Sequence, residues 1–193
     1  MARERIKMLV LCAMFTALTV LGAYIRIPTP ISSFTLQLLF VFLSGVLIGP
    51  KYGPLSQLIY VALGLIGIPV FIGGGGISYV LQPAFGFTIG FIAYSFVIGI
   101  MTKNNKSIPR ILLSCICGLA TTYIIGLPYM GIILNVYMQK QMTVWQILLN
   151  GMVIFLPFDA LKIAATVLLS RPLMKAIDSV GTKKKSEQSG DNS

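Results

Sequence analysis

Asp159 and Lys162 stand three residues apart in FLPFDALKIAATVLL, residues 155–169, a run that is otherwise almost entirely apolar. On a helix, i,i+3 spacing puts the two charges on one face. The remaining acidic residues are Glu4, Asp178, Glu187 and Asp191, so Asp159 is the only carboxylate between residues 5 and 177. Lys162 is equally isolated, the only lysine or arginine well inside an apolar run. An ionisable group at bilayer depth costs roughly 2.5 to 3.5 kcal/mol on insertion scales, so it must face a partner or a wet cavity. One reading is an ion pair that locks its helix against its neighbours, although apolar residues would pack there at least as well. The preferred reading is a ligand pocket with an apolar and aromatic wall. There Lys162 binds an anionic group, while Asp159 accepts hydrogen bonds from ligand N–H groups and orients the lysine.

Other chemistry is poorly provided for. The chain has no histidine, and one intramembrane carboxylate leaves no acid/base pair, metal set or triad, so catalysis is not expected. Cys12, Cys115 and Cys117 lie in apolar runs without CxxC spacing and read as small packing residues. The glycines Gly73 to Gly76, in VFIGGGGISYVLQP, invite comparison with phosphate-binding loops, but no GxxxxGK[ST] occurs. Uphill movement of a ligand would therefore draw its energy from another chain or an ion gradient. Glycine here suits a backbone that approaches a ligand or a helix closely.

The elements that hold these residues follow from composition. Of 193 residues, 56% are hydrophobic and 10% charged, with a mean hydropathy of +0.88, against about a quarter charged in a soluble domain. At roughly 20 apolar residues per span there is room for about six membrane helices and for no soluble domain. They are expected near 8–25, 34–48, 55–68, 85–101, 110–136 and 157–175, in one transmembrane domain over 1–180, with a polar, disordered tail over 181–193. Pro28 and Pro30 stiffen the first external loop, and GPKYGP, 49–54, reads as a tight cytoplasmic turn. The loop over 70–83 is long, external and hydrophobic, so its backbone must fold against protein or line a cavity. Around Pro157 either one kinked helix runs over 144–169, or a short interfacial helix over 144–154 precedes a last helix with Pro157 in its first turn, where proline is tolerated. The second is favoured, and it lets Asp159 meet the positive end of the helix dipole.

The net charge of +10 is unevenly spread. Twelve of the fifteen basic residues fall at the termini and in the second and fourth connections, on one side of a six-helix arrangement. By the positive-inside rule both termini are cytoplasmic. No basic-aromatic pattern suggests nucleic acid. Ala13 and Ala17 form a small-xxx-small pair that either packs within the fold or lets another helix approach.

Taken together, FTLQLLFVFLSGVLIGPKYGPLSQLIYVALGLIGIPVF (34–71), the glycine loop, LQPAFGFTIGF after it and FLPFDALKIA resemble the BioY family. Its members are the biotin-specific substrate-binding (S) components of energy-coupling-factor (ECF) transporters, and the resemblance covers about residues 6–175. It implies an all-α integral membrane protein of six helices in a prokaryotic cell membrane, with an outward pocket for biotin. It also implies docking onto a transmembrane coupling protein driven by two cytoplasmic ATPases, with biotin as cargo and no cofactor in this chain. Ala13 and Ala17 match the family's AxxxA motif for meeting the coupling protein, and Asp159 and Lys162 match its D-x-x-K. Biotin offers a carboxylate for Lys162, ureido N–H groups for Asp159 and a ring for Tyr79 or Phe87 to cover. Gln82 and the loop glycines Gly74 and Gly75 are further candidate contacts. Thr35 and Gln37 match the family's TLQ, either as ligand contacts or as caps of the second helix. This chain departs from many relatives at 82–87, reading Gln-Pro-Ala-Phe-Gly-Phe where they read Gly-Pro-Thr-Gly-Gly-Tyr. Two other readings are an S component for another vitamin, such as thiamine, and a non-transporting membrane scaffold with a structural Asp-Lys pair.

Overall fold

The computed structural model describes residues 2–28 and 33–190. It is almost wholly helical, and five helices are long and apolar enough to cross a membrane. Helix α1, Ala2–Tyr24, starts within the basic N-terminal segment, earlier than the apolar run alone suggests. A short antiparallel arm follows: β1, Arg26–Pro28, pairs with β2, Ser33–Thr35, with Arg26 opposite Thr35.

Helix α2, Gln37–Leu65, is continuous except at Gly49, whose φ of 76° and ψ of −172° are not helical. Residues 44 and 57 would lie about 20 Å apart along a straight helix, at 1.5 Å per residue. Yet Gln57 Nε2 donates to Ser44 Oγ at 3.4 Å, and a Cβ on Gly53 would stand 3.2 Å from the Gly45 Cα. The chain therefore reverses at Gly49, and 37–48 and 50–65 are two antiparallel limbs. The tight turn expected over 49–54 is a reversal at Gly49 alone, because Pro50 can open the second limb at a position whose N–H needs no intrahelical partner.

Helix α3, Phe85–Thr102, packs against α2, and α4, Ile108–Ile132, packs against α3. Their shared core is Val41, Phe42, Val46, Tyr94, Ile98, Ile111 and Cys115. Gly118 makes this packing feasible, since a Cβ there would lie 1.9 Å from the Tyr94 ring. A π-helical turn, Ile133–Tyr137, ends α4. Helix α5, Val144–Leu148, is started by a reciprocal cap between Thr143 and Gln146 and continues as a π turn, Leu149–Val153. After a turn at 154–155, helix α6 runs Leu156–Gly190 with Pro157 in its first turn. It thus continues through most of the stretch expected to be disordered, where Lys, Glu and Gln are good helix formers. Residues 191–193 lie outside those described.

The glycine-rich loop between α2 and α3 folds back onto protein. The Gly64 carbonyl accepts from Gly67 N at 3.2 Å and Gly76 N at 2.7 Å. The Tyr24 hydroxyl donates to the Pro69 carbonyl and the Tyr129 hydroxyl to that of Val80. Inside the loop, Phe71 stacks on Tyr79 at 4.3 Å and meets Tyr60 edge-on at 5.4 Å. This satisfies the requirement that an irregular backbone near a bilayer be covered.

Candidate functional site

Phe155, in the turn just before α6, and Asp159 and Lys162 near its start are spaced i, i+4 and i+7 and line the same cavity. Asp159 is 3% exposed and Lys162 9%. Lys162 Nζ donates to Asp159 Oδ1 at 3.0 Å. The other carboxylate oxygen, Oδ2, accepts from the Tyr123 hydroxyl of α4 at 2.5 Å. Among the described residues these are the side-chain hydrogen bonds of the pair. Both oxygens of Asp159 are engaged, while the ammonium, with three donors, makes one bond. Asp159 is therefore placed to hold and orient the lysine, whose remaining donors can reach a further acceptor.

A cavity of about 90 Å³ adjoins the pair. Three helices each give it one face: Ala84, Phe87, Thr88 and Phe91 from the cap and body of α3, Leu119, Thr122 and Tyr123 from α4, and the α6 residues. Ser33 and Thr35 of the arm, Gln37 and Leu38 at the head of α2, and Ile72 and Tyr79 of the glycine loop close it. The π turn after α5 supplies Gly151.

Six of the sequence candidates thus meet in one wall: Thr35, Gln37, Tyr79, Phe87, Asp159 and Lys162. Thr35 and Gln37 do not cap α2, whose first turn receives no side-chain bond. Instead Thr35 Oγ1 donates to Gln37 Oε1 at 3.2 Å, and Gln37 Nε2 donates to the Tyr60 hydroxyl at 2.6 Å. Tyr60 in turn donates to the Val70 carbonyl at 3.3 Å, tying the cavity to the glycine loop. Phe87 meets Tyr123 edge-on at 6.2 Å. Burial raises the Tyr79 phenol above its ordinary pKa, against the lowering effects of a backbone hydrogen bond at Ile72 and the Arg26 charge.

Three other candidates lie outside the cavity wall. Gly74 and Gly75 do not line the cavity. Gly74 bridges to Phe71 in both directions, at 3.0 and 3.2 Å, and Gly75 lies so close to the end of α2 that a Cβ would stand 2.2 Å from the Ile68 carbonyl oxygen. These glycines shape the loop. The Gln82 side chain is exposed, and its backbone caps the turns around it. Ala13 and Ala17 are exposed on α1, away from the cavity.

Sequence reasoning missed Tyr123, Thr122, Thr88 and Phe155. Helical spacing was the available signal, since 119, 122 and 123 share one face of α4 and 84, 87, 88 and 91 one face of α3. Nothing local said that those faces meet α6. Phe34 is a further omission: its ring lies 4.5 Å from Phe155 and 4.3 Å from Phe158, joining the arm to the start of α6. A buried cation with spare donors beside an apolar and aromatic wall suits a small, mostly apolar, anionic molecule.

A family model described as the BioY family matches residues 1–179. A Lysinibacillus sphaericus protein named as a probable biotin transporter BioY is 43% identical over 173 residues, covering 89% of this chain and 88% of that one. The biotin transporter BioY of Thermotoga maritima is 37% identical over 170 residues, covering 88% and 96%. Among solved structures, a crystal structure of the S-component for biotin from an ECF-type ABC transporter aligns with a TM-score of 0.69 and 28% identity. That alignment covers 91% of this chain and 94% of the other.

Proposed function

The chain belongs to the BioY family, and from that premise we propose that it is a multi-pass membrane subunit that captures biotin outside a prokaryotic cell and passes it inward. The observation that carries this reading is the Lys162 ammonium, 9% exposed, held by Asp159 at 3.0 Å in the wall of an apolar cavity. Biotin is a bicycle with a ureido group at one end and an aliphatic chain ending in a carboxylate at the other, and Lys162 is the one cation among the residues of that wall. The ureido head then lies against the aromatic and hydroxyl-bearing part of the wall. The reaction is binding and release, so the chain is a transport component and not an enzyme.

Counting the two limbs of α2 and leaving out the short α5, the described residues hold six helical segments, and six crossings put both termini on one side. The basic residues of α1, the Gly49 reversal, the α3–α4 connection and the end of α6 support a cytoplasmic assignment for that side. The cavity lies at the opposite end, among the arm, the glycine loop and the start of α6, which supports access from outside. Ligand pockets usually measure about 300 to 1,000 Å³, so a cavity of about 90 Å³ must widen before it encloses biotin. The arm and the glycine loop are non-helical parts of the wall, and in this reading their movement opens and then covers the site.

Release to the inside requires energy, which this reading assigns to a transmembrane coupling protein and two cytoplasmic ATPases. The docking surface is the outer face of α1, where Ala13 and Ala17 are exposed and let a partner helix come close. A groove of about 990 Å³ between α1, the first limb of α2 and α6 runs beside them.

The test is purification of the full chain from cells grown in rich medium, with bound small molecules released and identified by mass spectrometry and binding then measured by calorimetry. Co-purified biotin that can be exchanged is the expected result. Absence of biotin together with no heat of binding would overturn the reading.

A further inference from the structure

Thr122 lies on the cavity-lining face of α4, one residue before the tyrosine that holds Asp159. Its neighbours by type have settled hydroxyls. Thr16, Thr19, Thr102, Thr121 and Thr166 each donate to the carbonyl four residues back, at 2.8 to 3.1 Å, the usual arrangement for threonine within a helix. Thr122 and Thr88, both in the cavity wall, make no such bond, and Thr122 is the more deeply buried of the two. Thr122 is 3% exposed, and its Oγ1 is the one buried side-chain nitrogen or oxygen among the described residues without a hydrogen-bond partner in the protein.

Packing explains how the side chain is held. A Cβ on Gly90 of α3 would stand 3.1 Å from Thr122 Cγ2 and 3.2 Å from its Cα. The bare glycine therefore gives the threonine methyl a seat against α3. A buried hydroxyl left unbonded is unfavourable, and buried polar groups are nearly always paired. A group kept in that condition in a cavity wall is suited to a partner that arrives with the ligand.

We propose that the Thr122 hydroxyl is a ligand-contacting group that hydrogen-bonds the uncharged polar head of the bound molecule. This rests on the reading of the cavity as a biotin site. Lys162 is the cation there and takes the carboxylate, so the ureido group is the remaining polar part of the ligand and the match for a neutral hydroxyl. A hydroxyl can donate to the ureido oxygen or accept from its N–H. Thr122 thereby discriminates against molecules of the same apolar shape that carry an acid but no polar head.

The experiment compares wild type, Thr122→Val and Thr122→Ser by calorimetry with biotin and with biotin methyl ester, and by thermal melting without ligand. Valine keeps the shape and removes the hydroxyl. Because that hydroxyl bonds nothing in the protein, the valine variant should melt no lower than wild type, yet bind biotin about fivefold to tenfold more weakly, the size of one hydrogen bond. Serine keeps the hydroxyl and loses the methyl seated against Gly90, so it should bind biotin more tightly than the valine variant. The valine defect should persist with the methyl ester, since the lost contact is not to the carboxylate. Wild-type biotin affinity in Thr122→Val, or a clear fall in its melting temperature without ligand, overturns the proposal and leaves the biotin reading standing. Failure of the wild-type chain itself to bind biotin overturns the biotin reading.

Discussion

The Tyr123 hydroxyl donates to Asp159 Oδ2 at 2.5 Å, joining α4 to α6 across 36 positions of sequence. The same carboxylate accepts from Lys162 through its other oxygen, so Tyr123 positions the cation through the aspartate. Tyr123→Phe removes this bond and leaves a buried carboxylate oxygen unpaired, at a cost of about 1 to 3 kcal/mol. Biotin affinity should fall about tenfold or more, and the melting temperature should fall with it. Calorimetry and a melting curve on one preparation check both, and unchanged affinity would remove Tyr123 from the site.

Lys162→Ala removes both the proposed carboxylate partner and the counter-charge of Asp159. Leaving one partner of a buried pair alone destabilises by about 3 to 5 kcal/mol, so the double variant with Asp159→Asn is the better probe. Biotin binding by that variant should be weakened more than a hundredfold. Wild type should prefer biotin over its methyl ester, whereas the double variant should bind the two equally.

Phe34 clasps Phe155 and Phe158 with ring centres 4.5 and 4.3 Å away, and Ser33, Thr35 and Phe155 line the cavity beside it. Aromatic pairs contribute about 0.5 to 1.5 kcal/mol beyond their buried area. Phe34→Ala should therefore raise the dissociation rate of labelled biotin about tenfold while changing the association rate little. Stopped-flow chase with unlabelled biotin measures this, and an unaltered dissociation rate would separate the arm from ligand retention.

Ala13 and Ala17 are exposed on α1 and are not among the residues that line the cavity. Replacing both by leucine should leave biotin binding intact and abolish co-purification with coupling subunits expressed in the same cells. Retained co-purification would move the docking surface elsewhere.

Much of this protein is legible in its sequence because the relevant physics is local. The near absence of charge over 8–170 requires a bilayer, and the i,i+3 spacing of Asp159 and Lys162 requires that they share a helix face. Pro157 can be accommodated at a helix start without breaking a bond. Gly49 shows where local reading begins to fail: GPKYGP marks a reversal, but only the contact of Ser44 with Gln57 shows that one residue makes it. Gly74 and Gly75 show what local reading leaves open. A run of glycines signals close approach without naming what is approached, and here it is the loop's own backbone and the end of α2.

By itself, then, the sequence determined a membrane-embedded helical protein with one charged pair and a family to which that pair belongs. Tertiary structure alone decided that Tyr123 completes the pair, that Thr122 stands unbonded beside it, and that Gln37 reaches the glycine loop through Tyr60. The reason is physical. Spacing along a helix says which residues share a face, but which faces meet depends on the packing of α2, α3, α4 and α6 against one another, and that is set by contacts between segments far apart in the chain.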